Sequence, residues 1–147
     1  MIQTDKAQKS FITKMNREEK IIFIRILVAL GRADKNFDDD EKSFIKDLGI
    51  IFGLGTADID EIIAPTTTEE LISMASKITN REIALQLIKE ACFLANSDGG
   101  LTNEEILLIG DVGSAMNIEL EKIEEISQWV VDRIIWLERG KIIFEQV

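Results

Sequence analysis

The chain has 147 residues, 17 of them Lys or Arg and 27 Asp or Glu, so its formal charge is −10. Apolar residues make up 46% and charged residues 30%, the balance of a globular chain long enough to bury a core. That charge offers no basic patch to displace counterions from a nucleic-acid backbone, and no apolar run is long enough to span a bilayer. Met1 to Thr13 lacks the apolar centre of a signal peptide, and the one cysteine, Cys92, suits a reducing compartment. The expectation is a cytoplasmic chain without nucleic-acid partners or direct membrane insertion. With no His, it can build neither a His-based triad nor an imidazole metal site.

Apolar residues recur at intervals of three and four, and strand-like alternation is nowhere sustained, which predicts an all-α fold. In chain order, helices are expected over 4–14, 16–33, 39–53, 57–63, 68–78, 80–96, 103–115 and 118–138. They form a compact bundle of seven to eight helices in one domain over 1–147. Breaks fall at Asn36, Gly53 and Gly55, Pro65, Gly99-Gly100 and Gly140. Asn16 with Glu19, Asp38 with Glu41, Thr67 with Glu70 and Thr102 with Glu105 have capping-box spacing, and Asn80 can cap the segment after it. Residues 21–30 and 83–95 are apolar nearly all round, apart from Arg25 in the first, and read as buried central helices. The tail, 141–147, fits a strand, a frayed helix or a docked arm.

The strongest internal signal is a repeat. Shifted by 64 positions, residues 16–62 align with 80–126 without a gap, and 13 of the 47 positions are identical. Asn16-Arg17-Glu18 meets Asn80-Arg81-Glu82, Asp34 meets Asp98, Glu41 meets Glu105, and Gly49 meets Gly113. The polar matches are the more telling, because amphipathic helices align their isoleucines by chance. A repeated helix–loop–helix–helix unit predicts two halves related by a pseudo-twofold axis, and two copies are too few for a solenoid.

The loop of the second half runs Ala95-Asn96-Ser97-Asp98-Gly99-Gly100-Leu101-Thr102-Asn103-Glu104-Glu105. It resembles the hallmark loop of the TerB-like domain, named for tellurite-resistance proteins and found also in some membrane-anchored J-domain co-chaperones. Asp98, Gly99, Leu101 and Glu105 match the pattern. In the first half Asp34, Phe37 and Glu41 match, with Lys35 where the family usually has Gly. The resemblance covers about residues 16–138. It implies an all-helical fold of about seven helices, a divalent-metal site at the two acidic loops (Asp34, Glu41, Asp98 and Glu105) and a role in stress-related or phage-related systems.

The residues themselves leave two readings of these loops open. Asp34, Asp38, Asp39, Asp40 and Glu41 place five carboxylates within eight residues. Two carboxylates about 5 Å apart repel by about 3 kcal/mol at an effective dielectric near 20. Such a group splays into water, takes up a proton or binds a cation. Oxygen-only ligands favour Ca²⁺, Mg²⁺ or Mn²⁺. Asp34, Asn36 and Asp38 match the first three ligand positions of an EF-hand, but the pattern then fails, with Asp39 for Gly at the sixth position and Ile45 for Glu at the twelfth. Alternatively, every acid is a cap, a turn or a solvated group and no metal is needed. If the central helices run antiparallel along their full length, two such sites are separate. If they cross near their C-terminal ends, the four acids converge on one.

Elsewhere, Trp129 and Trp136 are expected to pack in the core, with a partner-binding stripe as the alternative. Glu119, Glu121, Glu124 and Glu125 read as a solvated face. Cys92 reads as a small core residue, and Gly53-Leu54-Gly55 as a helix-ending turn. The functional expectation is a non-enzymatic, acidic module that binds a divalent cation and a protein partner. The alternatives are a metal-free helical adaptor and a metal-assisted hydrolase. The hydrolase lacks a general base and a cation placed to steady an oxyanion.

Overall fold

The computed structural model describes residues 12–33, 39–96 and 102–144. Seven helices lie wholly among the described residues: α1 (Arg17–Ala33), α2 (Asp39–Ile51), α3 (Thr56–Ile63), α4 (Thr68–Ala75), α5 (Arg81–Asn96), α6 (Asn103–Ala115) and α7 (Leu120–Ile143). Among the described residues there is no strand, and no helix is long and apolar enough to cross a membrane. The fold is the all-α bundle that the periodicity predicts. Of the expected first helix, 4–14, residues 4–11 lie outside the described ones, and residues 12 and 13 are helical.

α1 and α5 pack on each other and form the centre. Their apolar residues are buried on nearly all sides, so every other helix buries its one apolar face against this pair or against a neighbour of it. α2, α3, α4 and α6 lean on α1, α6 and α7 lean on α5, and α4 packs against α6. Buried side chains from all seven helices join in one cluster, with Phe23 of α1 and Phe52 just after α2 in tilted ring contact at 5.3 Å.

Local chemistry sets the helix boundaries. Asn16 and Glu19 exchange backbone hydrogen bonds, Thr67 does so with Glu70 and Thr102 with Glu105, and the Asn80 carboxamide oxygen accepts from the Ile83 N–H at 3.1 Å. The box expected from Asp38 and Glu41 falls partly outside the described residues. α2 ends in a left-handed residue, Gly53 (φ 74°), with the Leu54 N–H donating to the Gly49 carbonyl at 2.9 Å. α6 ends the same way at Asn117 (φ 61°), with the Ile118 N–H donating to the Gly113 carbonyl at 2.9 Å.

Three expectations are corrected in detail. The helix expected over 68–78 ends at Ala75 and closes as a turn, with the Ile78 N–H on the Ala75 carbonyl. Gly140 does not break α7, because the helix runs through it and the Phe144 N–H donates to its carbonyl at 3.0 Å. A lone interior glycine costs about 1 kcal/mol, which lowers helix stability without breaking it, and the Glu138–Lys141 pair bridges the position. The tail through Ile143 is therefore helix. The third correction is that Trp129 and Trp136 are not core, being 52% and 72% exposed. Periodicity identifies an apolar face but not whether anything covers it.

Several features recur at the 64-residue spacing. α1 and α5 start 64 residues apart, as do α2 and α6, and α3 and α7. Arg17 and Arg81 also match, but their acidic partners do not: Arg17 reaches from α1 to Asp58 in the first turn of α3, whereas Arg81 reaches from α5 to Glu119, the residue capping α7 and 61 positions on from Asp58, at 2.7 Å. Gly49 lies under the Ile59 side chain, and Gly113 lies under that of Ile123.

Candidate functional site

Of the four acids at the repeated loops, Asp34 and Asp98 lie outside the described residues. Glu41 sits in the first turn of α2, and its side chain is likewise outside them. Glu105 is described. It is buried, and one carboxylate oxygen accepts the Thr102 N–H at 2.9 Å while the Thr102 hydroxyl accepts the Glu105 N–H at 3.2 Å. That arrangement is the reciprocal cap of α6, so at least one function of Glu105 is to hold its own chain. Among the described residues, no three His, Cys, Asp or Glu side chains gather as a metal would need.

Cys92 behaves as a core residue. Burial pushes its thiol up to about 11, against a hydrogen bond with Ser127, so it stays protonated at neutral pH. The acids of 119–125 are exposed, as a solvated face requires. Glu119 is held below the ordinary carboxylate range by its hydrogen bond with Arg81. Asp58 is held low first by the Gly55 N–H and then by Arg17.

Two polar features went unassigned in the sequence reading. The first is Glu90, fully buried on α5 beside Lys89 at 3.4 Å. Burial pushes its carboxyl above the ordinary range, against the pull of Lys89 and Arg133. The hint in the sequence was one acid within the mostly apolar stretch 83–95. The second is a cleft of about 550 Å³ between α1, the α3–α4 loop and α6. Arg25 and Thr66 line one side, Leu71 and Leu107 supply apolar walls, and Glu104 and Asp111 stand on α6. An Arg25 Nη donates to the Thr66 hydroxyl at 2.6 Å, while its buried Nε has no hydrogen-bond partner. This bond ties α1 to the loop after Pro65.

The most extensive unpartnered feature is α7. Its 24 residues make it about 36 Å long, against about 24 Å for the 16 residues of α5 on which it rests. Trp129, Trp136 and Ile143 recur every seven residues, each followed by an apolar neighbour: Val130, Leu137 and Phe144. Val130 is fully buried, whereas Leu137 and Phe144, on the same stripe one and two heptads later, are exposed. The stripe therefore leaves the core and runs out into solvent because the helix is longer than the body beneath it. Its root is fixed: the Trp129 ring meets Phe93 of α5 edge-on at 6.3 Å, and Arg133 lies over the same Phe93 ring at 5.7 Å. Five exposed side chains, Trp129, Trp136, Leu137, Ile143 and Phe144, present roughly 600 Å² of largely apolar surface, taking about 200 Å² per large side chain and their exposed fractions. A monomer's largest apolar patch is usually about 300–600 Å². No family model matches the chain, and neither does any curated protein or solved structure.

Proposed function

We propose that this chain is a non-enzymatic protein-interaction module whose working surface is the apolar stripe of α7 from Trp129 to Phe144. The partner is an amphipathic helix. The single observation behind this reading is that a continuous, heptad-spaced stripe emerges from the core and stays uncovered over its outer half. Water-facing Trp, Leu, Ile and Phe in such a row gain most when another apolar helix face covers them. Two features speak for the non-enzymatic part: the thiol of Cys92 is buried and protonated, and Glu105 is engaged in a cap. The experiment is photo-crosslinking in cells, with benzoylphenylalanine at Trp136 and, as a control, at Glu69 on the exposed face of α4. A discrete protein adduct from position 136 and none from 69 is the expected result. Absence of any adduct at 136 would refute the reading.

A second reading retains the divalent cation of the TerB-like resemblance and a stress-related role, possible here through Asp34, Glu41, Asp98 and Glu105. What favours it is the recurrence of the loop acids at the 64-residue spacing, together with a buried carboxylate at one of them, Glu105. The family likeness rests on those loop residues. A rise in melting temperature on adding Ca²⁺, Mg²⁺ or Mn²⁺, lost in an Asp34→Asn, Asp98→Asn double variant, supports it. Binding to the native state alone stabilises by about 2.7 kcal/mol at a hundredfold excess over Kd. Unchanged stability at millimolar ion leaves the metal-free adaptor.

A further inference from the structure

The stripe on α7 carries its own matching charges. Asp132 and Arg139 are seven residues apart, so they lie one heptad apart on the same flank of the stripe, and both are exposed. Asp132 is held in place by Gln128, whose amide donates to it at 2.8 Å. In a pair of antiparallel helices related by a twofold axis, like flanks face each other, and a position before the axis meets the position equally far beyond it. In a parallel pair, opposite flanks meet instead.

We infer that the occupant of the stripe is the same stripe of a second copy, packed antiparallel with the axis between Ile135 and Trp136. In that register Asp132 stands opposite the partner's Arg139, and Arg139 opposite the partner's Asp132. The sequence numbers of each such pair are equidistant from the axis, and the two ion pairs close symmetrically. Trp136 of each copy sits at the centre, and Trp129 lies towards the outer end of the other helix. The inference rests on the reading of α7 as an interaction surface and adds the identity of the partner.

The area agrees. Two stripes of roughly 600 Å² bury roughly 1,200 Å² in all, the lower end of the 1,200–2,000 Å² of a specific, stable interface. The charge of the chain selects against other occupants. At −10, a copy is repelled by an anionic membrane, although Arg133, Arg139 and Lys141 give the end of α7 a locally basic face. The same overall charge opposes association between copies, but over distances that physiological salt screens to about 8 Å. The contact region from Asp132 to Lys141 holds two acids, Asp132 and Glu138, and three bases, Arg133, Arg139 and Lys141, so it is not itself acidic.

The test is sedimentation equilibrium of the full chain from about 1 to 500 µM in 0.15 M salt. The expected result is a concentration-dependent rise from 16.6 kDa to twice that mass. Trp136→Glu should abolish it. Asp132→Arg places Arg opposite Arg, and Arg139→Asp places Asp opposite Asp, so each alone should weaken pairing by about tenfold or more. Mixing these two variants, or combining both changes in one chain, restores opposite charges and should restore pairing. These positions are exposed, so circular dichroism should show every variant folded. A chain that stays at 16.6 kDa throughout overturns the inference, and so does a swap that neither weakens nor rescues pairing. A monomer that still gives a discrete heterologous adduct at position 136 sinks the self-pairing alone. A monomer with no adduct sinks the interaction surface as well.

Discussion

Gly49 and Gly113 occupy matching positions in α2 and α6, and their replacement by alanine separates helix propensity from packing. Either change gains about 0.8–1 kcal/mol of intrinsic helix propensity, and because the positions match, that gain cancels in the comparison. The packing cost does not cancel. A Cβ on Gly49 meets the end of the Ile59 side chain and little else, and Ile59 is half-buried, so its Cδ1 can swing away. A Cβ on Gly113 meets the end of Ile123, comes within 3.3 Å of Ile123 Cγ1 and within 3.5 Å of Ile88 Cδ1. Ile123 is buried and Ile88 fully so, whereas Ile59 is half-buried and borders solvent. Overpacking of this kind costs about 1–3 kcal/mol. Gly49→Ala should therefore be as stable as the parent or up to about 1 kcal/mol more stable, and Gly113→Ala up to about 2 kcal/mol less stable, the overpacking cost less the propensity gain. Urea denaturation at constant m-value measures both, and a loss of 1 kcal/mol appears as a fall of about 3 °C in Tm. Ile123→Val removes the clashing Cδ1, so in the Gly113→Ala background it should cost less than it does alone. If Gly113→Ala is as stable as Gly49→Ala, or if Ile123→Val shows no such coupling, the packing argument is wrong.

Other outcomes test the polar features. Glu90→Gln should stabilise the protein at pH 7, because burial disfavours the Glu90 charge by more than Lys89 and Arg133 favour it. The sign follows from its raised pKa: between the ordinary 4.5 and the higher native value the folded state holds more protons than the unfolded state. Stability from this group therefore falls as pH rises through that window, and the advantage of Glu90→Gln in thermal melts should be larger at pH 7.5 than at pH 4. Thr102→Ala should cost about 1 kcal/mol by removing the acceptor for the Glu105 N–H, and Thr67→Ala about the same, both read by thermal melting. Arg25→Met should change stability by less than about 1 kcal/mol, since losing the bond to Thr66 is offset by removing a buried, unpartnered Nε. A loss of several kcal/mol in chemical denaturation would show that Arg25 is a structural tie the rest of the core depends on.

The helices themselves were legible because their causes are local. Caps such as Thr67 with Glu70 and Thr102 with Glu105 are set by side chains three residues from the backbone they bond, and the stop at Gly53 by a single left-handed residue. The burial of 21–30 and 83–95 followed from helices with no polar face. The candidate site was less legible. Spacing groups Glu105 with three other acids and equally fits the local bond that one of its oxygens accepts from the Thr102 N–H, so spacing does not distinguish a cap from a shared site. Cys92 was assigned to the core correctly, because an apolar helix without basic neighbours leaves a thiol little else to do.

Sequence alone determined which stretches are helical, where most of them stop and which two lie at the centre, because hydrogen bonds and apolar periodicity act over three or four residues. Tertiary structure alone decided which apolar faces are covered. Val130 and Leu137 stand one heptad apart on the same stripe, yet the first is sealed against α5 and the second faces water. Nothing in the residues distinguishes them. The difference arises from the relative lengths of α7 and the body that supports it, a property of the assembled chain and not of any segment.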